Sequence, residues 1–212
     1  ESDEFEGVSR KSEVKLMRTI TLIYDGTFNT YRWLKAMMWA RNEFHDLGYK
    51  IKYASIFDYV PYPKSTKVPY EGIKLKWDTI GRFDIVFLAF HHSQSLIGQN
   101  SEKRIALVKF LKQKCKLLCW LDTADSTGTC LFDVLPYVDL YFKKQLLKDT
   151  NLYTNEFYCA RLYSDYYHQK LGLTDESLAS IHYHTALKEY LHKLRVSWNV
   201  AFYDRMGGKT WI

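Results

Sequence analysis

Four short clusters of ionisable and hydrogen-bonding residues each follow directly on an apolar run. They are Asp25-Gly26-Thr27-Phe28-Asn29, His91-His92-Ser93-Gln94, Asp122-Thr123-Ala124-Asp125-Ser126, and Lys143-Lys144. A histidine at such a place can move a proton near neutral pH or donate to an anion, so His91 and His92 are the candidate catalytic pair; the competing reading is a ring satisfied by loop backbone. Asp122 and Asp125 can act as paired carboxylates or hold a divalent cation, or serve as turn and cap residues. Lys143 and Lys144, with Lys148 and Arg161, can hold phosphate or form a solvated basic edge. Asp25, Ser93, Asp122, Asp125, Lys143 and Lys144 are therefore the candidate substrate-binding residues, and Gly26, Thr27 and Asn29 the candidate ligand loop.

The standard signatures are missing. Gly-x-Gly-x-x-Gly does not follow the first apolar run, where Gly26 stands alone, so no dinucleotide cofactor is expected. Gly207-Gly208-Lys209-Thr210 lacks the first glycine of a phosphate loop, and Gly-x-Ser-x-Gly is absent. His182 and His184 lie two apart, whereas a helical metal pair needs a spacing of four; no metal site is expected. The cysteines Cys115, Cys119, Cys130 and Cys159 contain no Cys-x-x-Cys pair and read as structural thiols of a reducing compartment. Tyr153, Phe157, Tyr158, Tyr163, Tyr166 and Tyr167 form an aromatic stretch suited to stacking on sugars or bases, or simply to packing.

These clusters need a scaffold that brings them to one edge. Thr19–Tyr24, Lys50–Phe57, Asp84–Phe90, Lys116–Leu121 and Val138–Phe142 are short apolar, β-branched or aromatic runs and read as strands. Between the first two, Trp33, Met37, Ala40, Phe44 and Leu47 recur at helical spacing, so one helix is predicted from Tyr31 to Gly48. Residues 59–76 hold Pro61, Pro63 and Pro69 and read as an irregular loop with a short edge strand. Ser101 to Lys114 reads as a helix with Ile105, Val108 and Leu111 inward. A short helix is predicted over Leu131–Leu135 and a longer one from Asp175 to Trp198. Strand and helix in alternation give an open, mostly parallel α/β sheet of Rossmann type, and such sheets gather ligands at the carboxyl ends of their strands. That rule selects the four clusters above.

The chain has 212 residues, 47% apolar and 25% charged, as an ordinary globular domain has; aromatics reach 17%. Ten glycines and four prolines exclude collagen-like and linker-like chains. Residues 1–13 are acidic, with Glu1, Asp3, Glu4, Glu6 and Glu13 against Arg10 and Lys11, so the net charge of +6 understates how basic the remainder is. A basic body attracts phosphorylated ligands or an anionic membrane face. No nucleic-acid motif accompanies it, and no nucleic acid is expected as a partner.

The strand Asp84-Ile-Val-Phe-Leu-Ala-Phe-His91 and the segment Leu135-Pro-Tyr-Val-Asp-Leu-Tyr-Phe-Lys-Lys-Gln-Leu-Leu-Lys-Asp149, in this order of elements, resemble the N-terminal half of a bacterial GT-B glycosyltransferase. The resemblance covers residues 17–205. It implies an acceptor-binding Rossmann-like domain of an enzyme that moves a sugar from a nucleotide-sugar to a saccharide or lipid-linked acceptor, as in polysaccharide biosynthesis. It implies that the loop at Gly26 approaches donor phosphates or acceptor, and that His91 orients or stabilises the transferring sugar. His92 takes that role if the strand ends one residue later. No metal or tightly held cofactor is implied. A second, donor-binding domain is implied and is not recognisable here, so residues 206–212 are expected to begin a linker and residues 1–16 to form an acidic tail. The expected setting is cytoplasmic, peripheral to the inner face of the membrane. The rival expectation is a non-catalytic Rossmann-like module that binds a nucleotide or a partner.

Overall fold

A computed structural model of the chain describes residues 17–55, 73–74, 82–93, 95–175 and 184–198. The tail at 1–16, the segment 206–212, His182, Gln94 and most of the proline loop lie outside the described residues.

Seven parallel strands form one sheet: β1 (Arg18–Tyr24), β2 (Tyr49–Ser55), β3 (Ile73–Lys74), β4 (Phe83–Phe90), β5 (Cys115–Asp122), β6 (Leu140–Lys143) and β7 (Leu194–Val196). Their spatial order is β3-β2-β1-β4-β5-β6-β7. The fold is the α/β, Rossmann-like arrangement that the alternating pattern predicts. A parallel sheet is covered on both faces, so its central strands must be apolar throughout. On one face Ile20, Leu22, Ala89 and Leu121 pack under Tyr31, Trp33, Leu34 and Met37 of helix α1 (Phe28–Trp39). On the other, Ile23, Val86, Leu88, Leu118 and Trp120 pack under Leu107, Val108 and Leu111 of helix α4 (Ser101–Lys112). Each fully buried aliphatic side chain of this kind stabilises the fold by roughly 1.5–3 kcal/mol.

Three elements differ from the sequence expectation. The single helix predicted over 31–48 is two: α1 starts earlier, capped by the Thr27 hydroxyl that accepts from Thr30 N, and it breaks at Ala40 before α2 (Arg41–Asp46). Leu47, expected on the buried stripe, is exposed because the chain is already turning at Gly48, whose φ is 84°. The inward face of α4 is Arg104, Leu107, Val108 and Leu111, so Ile105 sits at its margin. The helix predicted from Asp175 to Trp198 is, over its described part, a 3-10 turn (Lys188–Lys193) leading into edge strand β7. Tyr190, Leu191 and Leu194 reach the core from this turn-and-strand, and their spacing is equally compatible with an α-helix. After it, Trp198 Nε1 donates to Trp33 O at 2.6 Å and ties the chain back onto α1.

Candidate functional site

The strand order reverses direction between β1 and β4. The connections after these two strands leave on opposite sides, to α1 on one face and α4 on the other, and open α/β sheets bind ligands at the carboxyl edge of such a point. In register, Tyr24 pairs with Ala89, so Asp25 stands level with Phe90, one step below His91. Asp25 exploits this. Its Oδ1 accepts from Thr27 N at 2.9 Å and its Oδ2 from His91 N at 2.6 Å. One nearly buried carboxylate thus fixes the loop that starts α1 and the loop that carries the histidines. Gly26, with φ of 73°, makes the turn between them.

His91 is half-buried at this edge. Its Nδ1 accepts from Ser93 N at 3.3 Å, with the Ser93 hydroxyl at the same distance. A backbone N–H can only donate, so with that bond made the neutral ring carries its proton on Nε2. In the other tautomer the proton sits on Nδ1 and is donated to the Ser93 hydroxyl, which leaves the Nε2 lone pair free. Nε2 faces the side-chain amide of Asn29, 3.4 Å away on the first turn of α1. The His92 ring stacks on His91 with centroids 4.8 Å apart and planes 22° apart. Its Nδ1 is enclosed and has no hydrogen-bond partner among the described residues. Burial holds both imidazoles below the ordinary histidine pKa. Asp25 and Asp125 oppose this at His91, while the charge of His91 adds to it at His92. Both rings are therefore mainly neutral at pH 7, the form that can accept a proton.

Beneath the pair, helix α3 (Leu96–Gln99) presses a glycine onto the histidine backbone. A Cβ at Gly98 would lie 2.0 Å from His91 O and 2.9 Å from His92 Cα. Arg104, buried in α4, donates to Ile97 O and Gly98 O at 2.9 and 2.6 Å and pairs with Asp133. Asp133 also accepts from the Ser101 hydroxyl at 2.5 Å. This ion pair anchors α3, and α3 in turn seats His91 and His92. Neither Gly98 nor Arg104 carries a motif that marks it in the sequence.

Asp125 and Lys144 stand at the rim. Their side chains pair at 2.6 Å with 89% and 17% exposure, and Gln145 donates to Asp125 O. They remain available to a ligand at the β5–β6 end of the edge. Asp122 and Lys143 do not. Strands β5 and β6 each run one residue further than expected, so these two are the last strand residues and not loop residues. They pair in register, point to the α4 face, and are 1% and 0% exposed at a separation of 3.2 Å. Asp122 also accepts from Tyr141 Oη at 2.5 Å and Ala124 N at 2.8 Å, and Lys143 donates to Ala124 O and Thr129 O. Tyr141 Oη in turn accepts from Leu131 N. Every polar atom is spoken for, and the network holds the 123–131 loop down over the strand ends. The structure thus corrects the substrate-binding assignment of Asp122 and Lys143: both are internal supports.

Other sequence candidates are dispersed. Lys148 is exposed, and Arg161 donates to the Tyr163 hydroxyl. Tyr153 is buried, with its hydroxyl between Thr127 O and Leu147 N. All four cysteines are free; burial pushes the Cys115 thiol up to about 11 and Cys119 to about 12, so neither is nucleophilic at neutral pH. Among the described residues no group of three or more His, Cys, Asp or Glu could hold a metal ion, and no helix is long and apolar enough to cross a membrane. A small pocket of about 40 Å³ lies beside Gly128, Phe132, Tyr153 and Phe157, with room for about three waters and not for a nucleotide. Comparison with protein-family models, curated proteins and solved structures finds no match.

Proposed function

We propose that the chain is the acceptor-side domain of a GT-B glycosyltransferase, working on a saccharide or lipid-linked hydroxyl with a nucleotide-sugar as donor. The observation that carries this reading is His91: a neutral imidazole, oriented at Nδ1 by Ser93 and backed by Asp25, at the point where the sheet order reverses. Its Nε2 side, next to Asn29, is where an acceptor hydroxyl would be met. In the transfer, the acceptor oxygen bonds the anomeric carbon, the nucleoside diphosphate leaves with the electron pair, and the hydroxyl proton needs a base. The tautomer with its proton on Nδ1, donated to the Ser93 hydroxyl, supplies that base at Nε2. The positive end of α1, with no acidic residue in its first turn, lies on the same side and favours the departing negative charge. Asp125 and Lys144 line the rim, where sugar hydroxyls can bond. The reading needs a second α/β domain to hold the donor.

The test is turnover of a panel of nucleotide-sugars by protein that carries such a donor domain. His91→Ala should lower kcat by about a hundredfold or more, the usual worth of a positioned base. Undiminished turnover in the His91→Ala, His92→Ala double variant overturns the mechanism. The burial of Asp122 and Lys143 favours a second reading, a non-catalytic module that binds a nucleotide or a partner, because it thins the set of reactive groups at the edge. Ligand binding without turnover across the panel selects that reading.

A further inference from the structure

Helices of globular proteins turn their apolar stripe to the core. Helix α5 (Leu162–Leu171) does the reverse. None of its residues is buried. Its inward side is polar: Asp165 accepts from Tyr158 N at 3.0 Å, and His168 stacks on the Tyr158 ring at 3.9 Å. Its outward side exposes Leu162, Tyr163, Tyr166, Tyr167 and Leu171, and Leu173 extends the patch past the Gly172 cap. The cations here are unusual in their company. Arg161 donates to Tyr163 Oη at 2.6 Å, Lys170 donates to Tyr166 Oη at 2.7 Å, and both lie over the same rings. Among the described residues each is bonded to a phenol and not to a carboxylate. The one carboxylate of the helix, Asp165, is turned inward and also accepts from Gln169.

We propose that α5 docks the chain on an anionic lipid surface through this face. Tyrosine, with an apolar ring and a polar tip, suits the depth of the lipid headgroups, and cations among such rings are drawn to anionic lipid. A face with two positive charges that no described carboxylate pairs, and no outward carboxylate on the helix itself, matches that surface in both respects. The proposal gives the general basic charge of the chain a specific place to act. It stands without the glycosyltransferase reading, since binding to vesicles requires no catalysis.

The test is co-sedimentation of the full chain with vesicles of equimolar phosphatidylglycerol and phosphatidylcholine, against pure phosphatidylcholine. The chain should sediment with the anionic vesicles only. Lys170→Glu reverses one surface charge and should weaken partitioning about thirtyfold, taking about 1 kcal/mol per unit of charge at the lipid face. Tyr163→Ser with Tyr166→Ser and Tyr167→Ser should weaken it at least as much. Lys170 is exposed, and its bond and ring contact among the described residues are to Tyr166 alone, so its reversal keeps the test valid should the tyrosine variant not fold. Lys52→Glu, on exposed β2 surface in the other half of the sheet, should leave binding unchanged. No sedimentation with anionic vesicles, equal sedimentation with pure phosphatidylcholine, or equal loss in Lys52→Glu overturns the proposal. So does self-association without vesicles that the tyrosine changes abolish, which would make a second copy of the chain the occupant.

Discussion

Replacing Gly98 by alanine perturbs the histidine pair without touching either ring. The added Cβ would stand 2.0 Å from His91 O, 2.7 Å from His91 C and 2.9 Å from His92 Cα. All three are backbone atoms, so no side-chain rotation relieves the clash. Ordinary contact needs roughly 3.5 Å, so the histidine segment and α3 must separate by about 1 Å or more. Two restraints oppose that movement: His91 N is bonded to Asp25, and Gly98 O is bonded to Arg104. Overpacking of this kind costs about 1–3 kcal/mol, and a 1 Å error in a catalytic group can cost about a hundredfold in rate. Urea denaturation should show the loss of stability, and the imidazole proton resonances of His91 and His92 should move while those of His45 and His192 stay. Gly172→Ala is the comparison. There the added Cβ meets nothing within 4 Å, and only the φ of 65° penalises it, by about 1 kcal/mol. A Gly98→Ala protein with parental stability and unshifted His91 and His92 resonances would refute the argument that α3 seats the pair.

The Asp25→Asn protein should show a lower His91 pKa by NMR titration than the parent, because the Asp25 charge opposes the effect of burial; an unchanged or higher value contradicts the assignment. Both site histidines are depressed in the fold, so the unfolded chain binds more protons as pH falls. Stability should decline from about pH 7 through the free histidine value near 6.5, and His92→Gln should flatten that slope in urea midpoints. The depressed carboxyl of Asp84, held down by Lys116 and Thr19 N, gives stability that is lost only as pH falls below about 4, outside this window. Lys143→Met leaves the Asp122 charge buried without its cation and should cost about 3–5 kcal/mol, whereas Lys144→Met leaves behind a solvated carboxylate, Asp125, and should cost less than about 1 kcal/mol; equal costs in urea would contradict the burial argument.

The sheet was legible where strands are apolar on both faces. β1, β4 and β5 are bounded by turn or polar residues and fall within a residue or two of expectation. The misplacement of Asp122 and Lys143 follows from a single residue at each strand end. A polar side chain after an apolar run reads as loop, yet strand alternation puts Asp122 with Leu118 and Trp120, and Lys143 with Tyr141, on the face that α4 covers. What pairs them is a lateral register between β5 and β6, and one strand read alone carries no trace of it. β7 was missed because an edge strand of three residues is shorter than any period it could display. The histidine pair was visible because residue type and strand end coincide. Its supports, Gly98 and Arg104, were not, because they act through contacts between segments that local pattern does not encode.

The most direct test of the central claim is NMR of the His91 and His92 imidazoles as nucleotide-sugars and saccharide acceptors are added. The account predicts a saturable shift of the His91 resonance and a change in its pKa with at least one of these ligands, with His45 and His192 silent. Silence at His91 while a ligand binds elsewhere on the chain would contradict it.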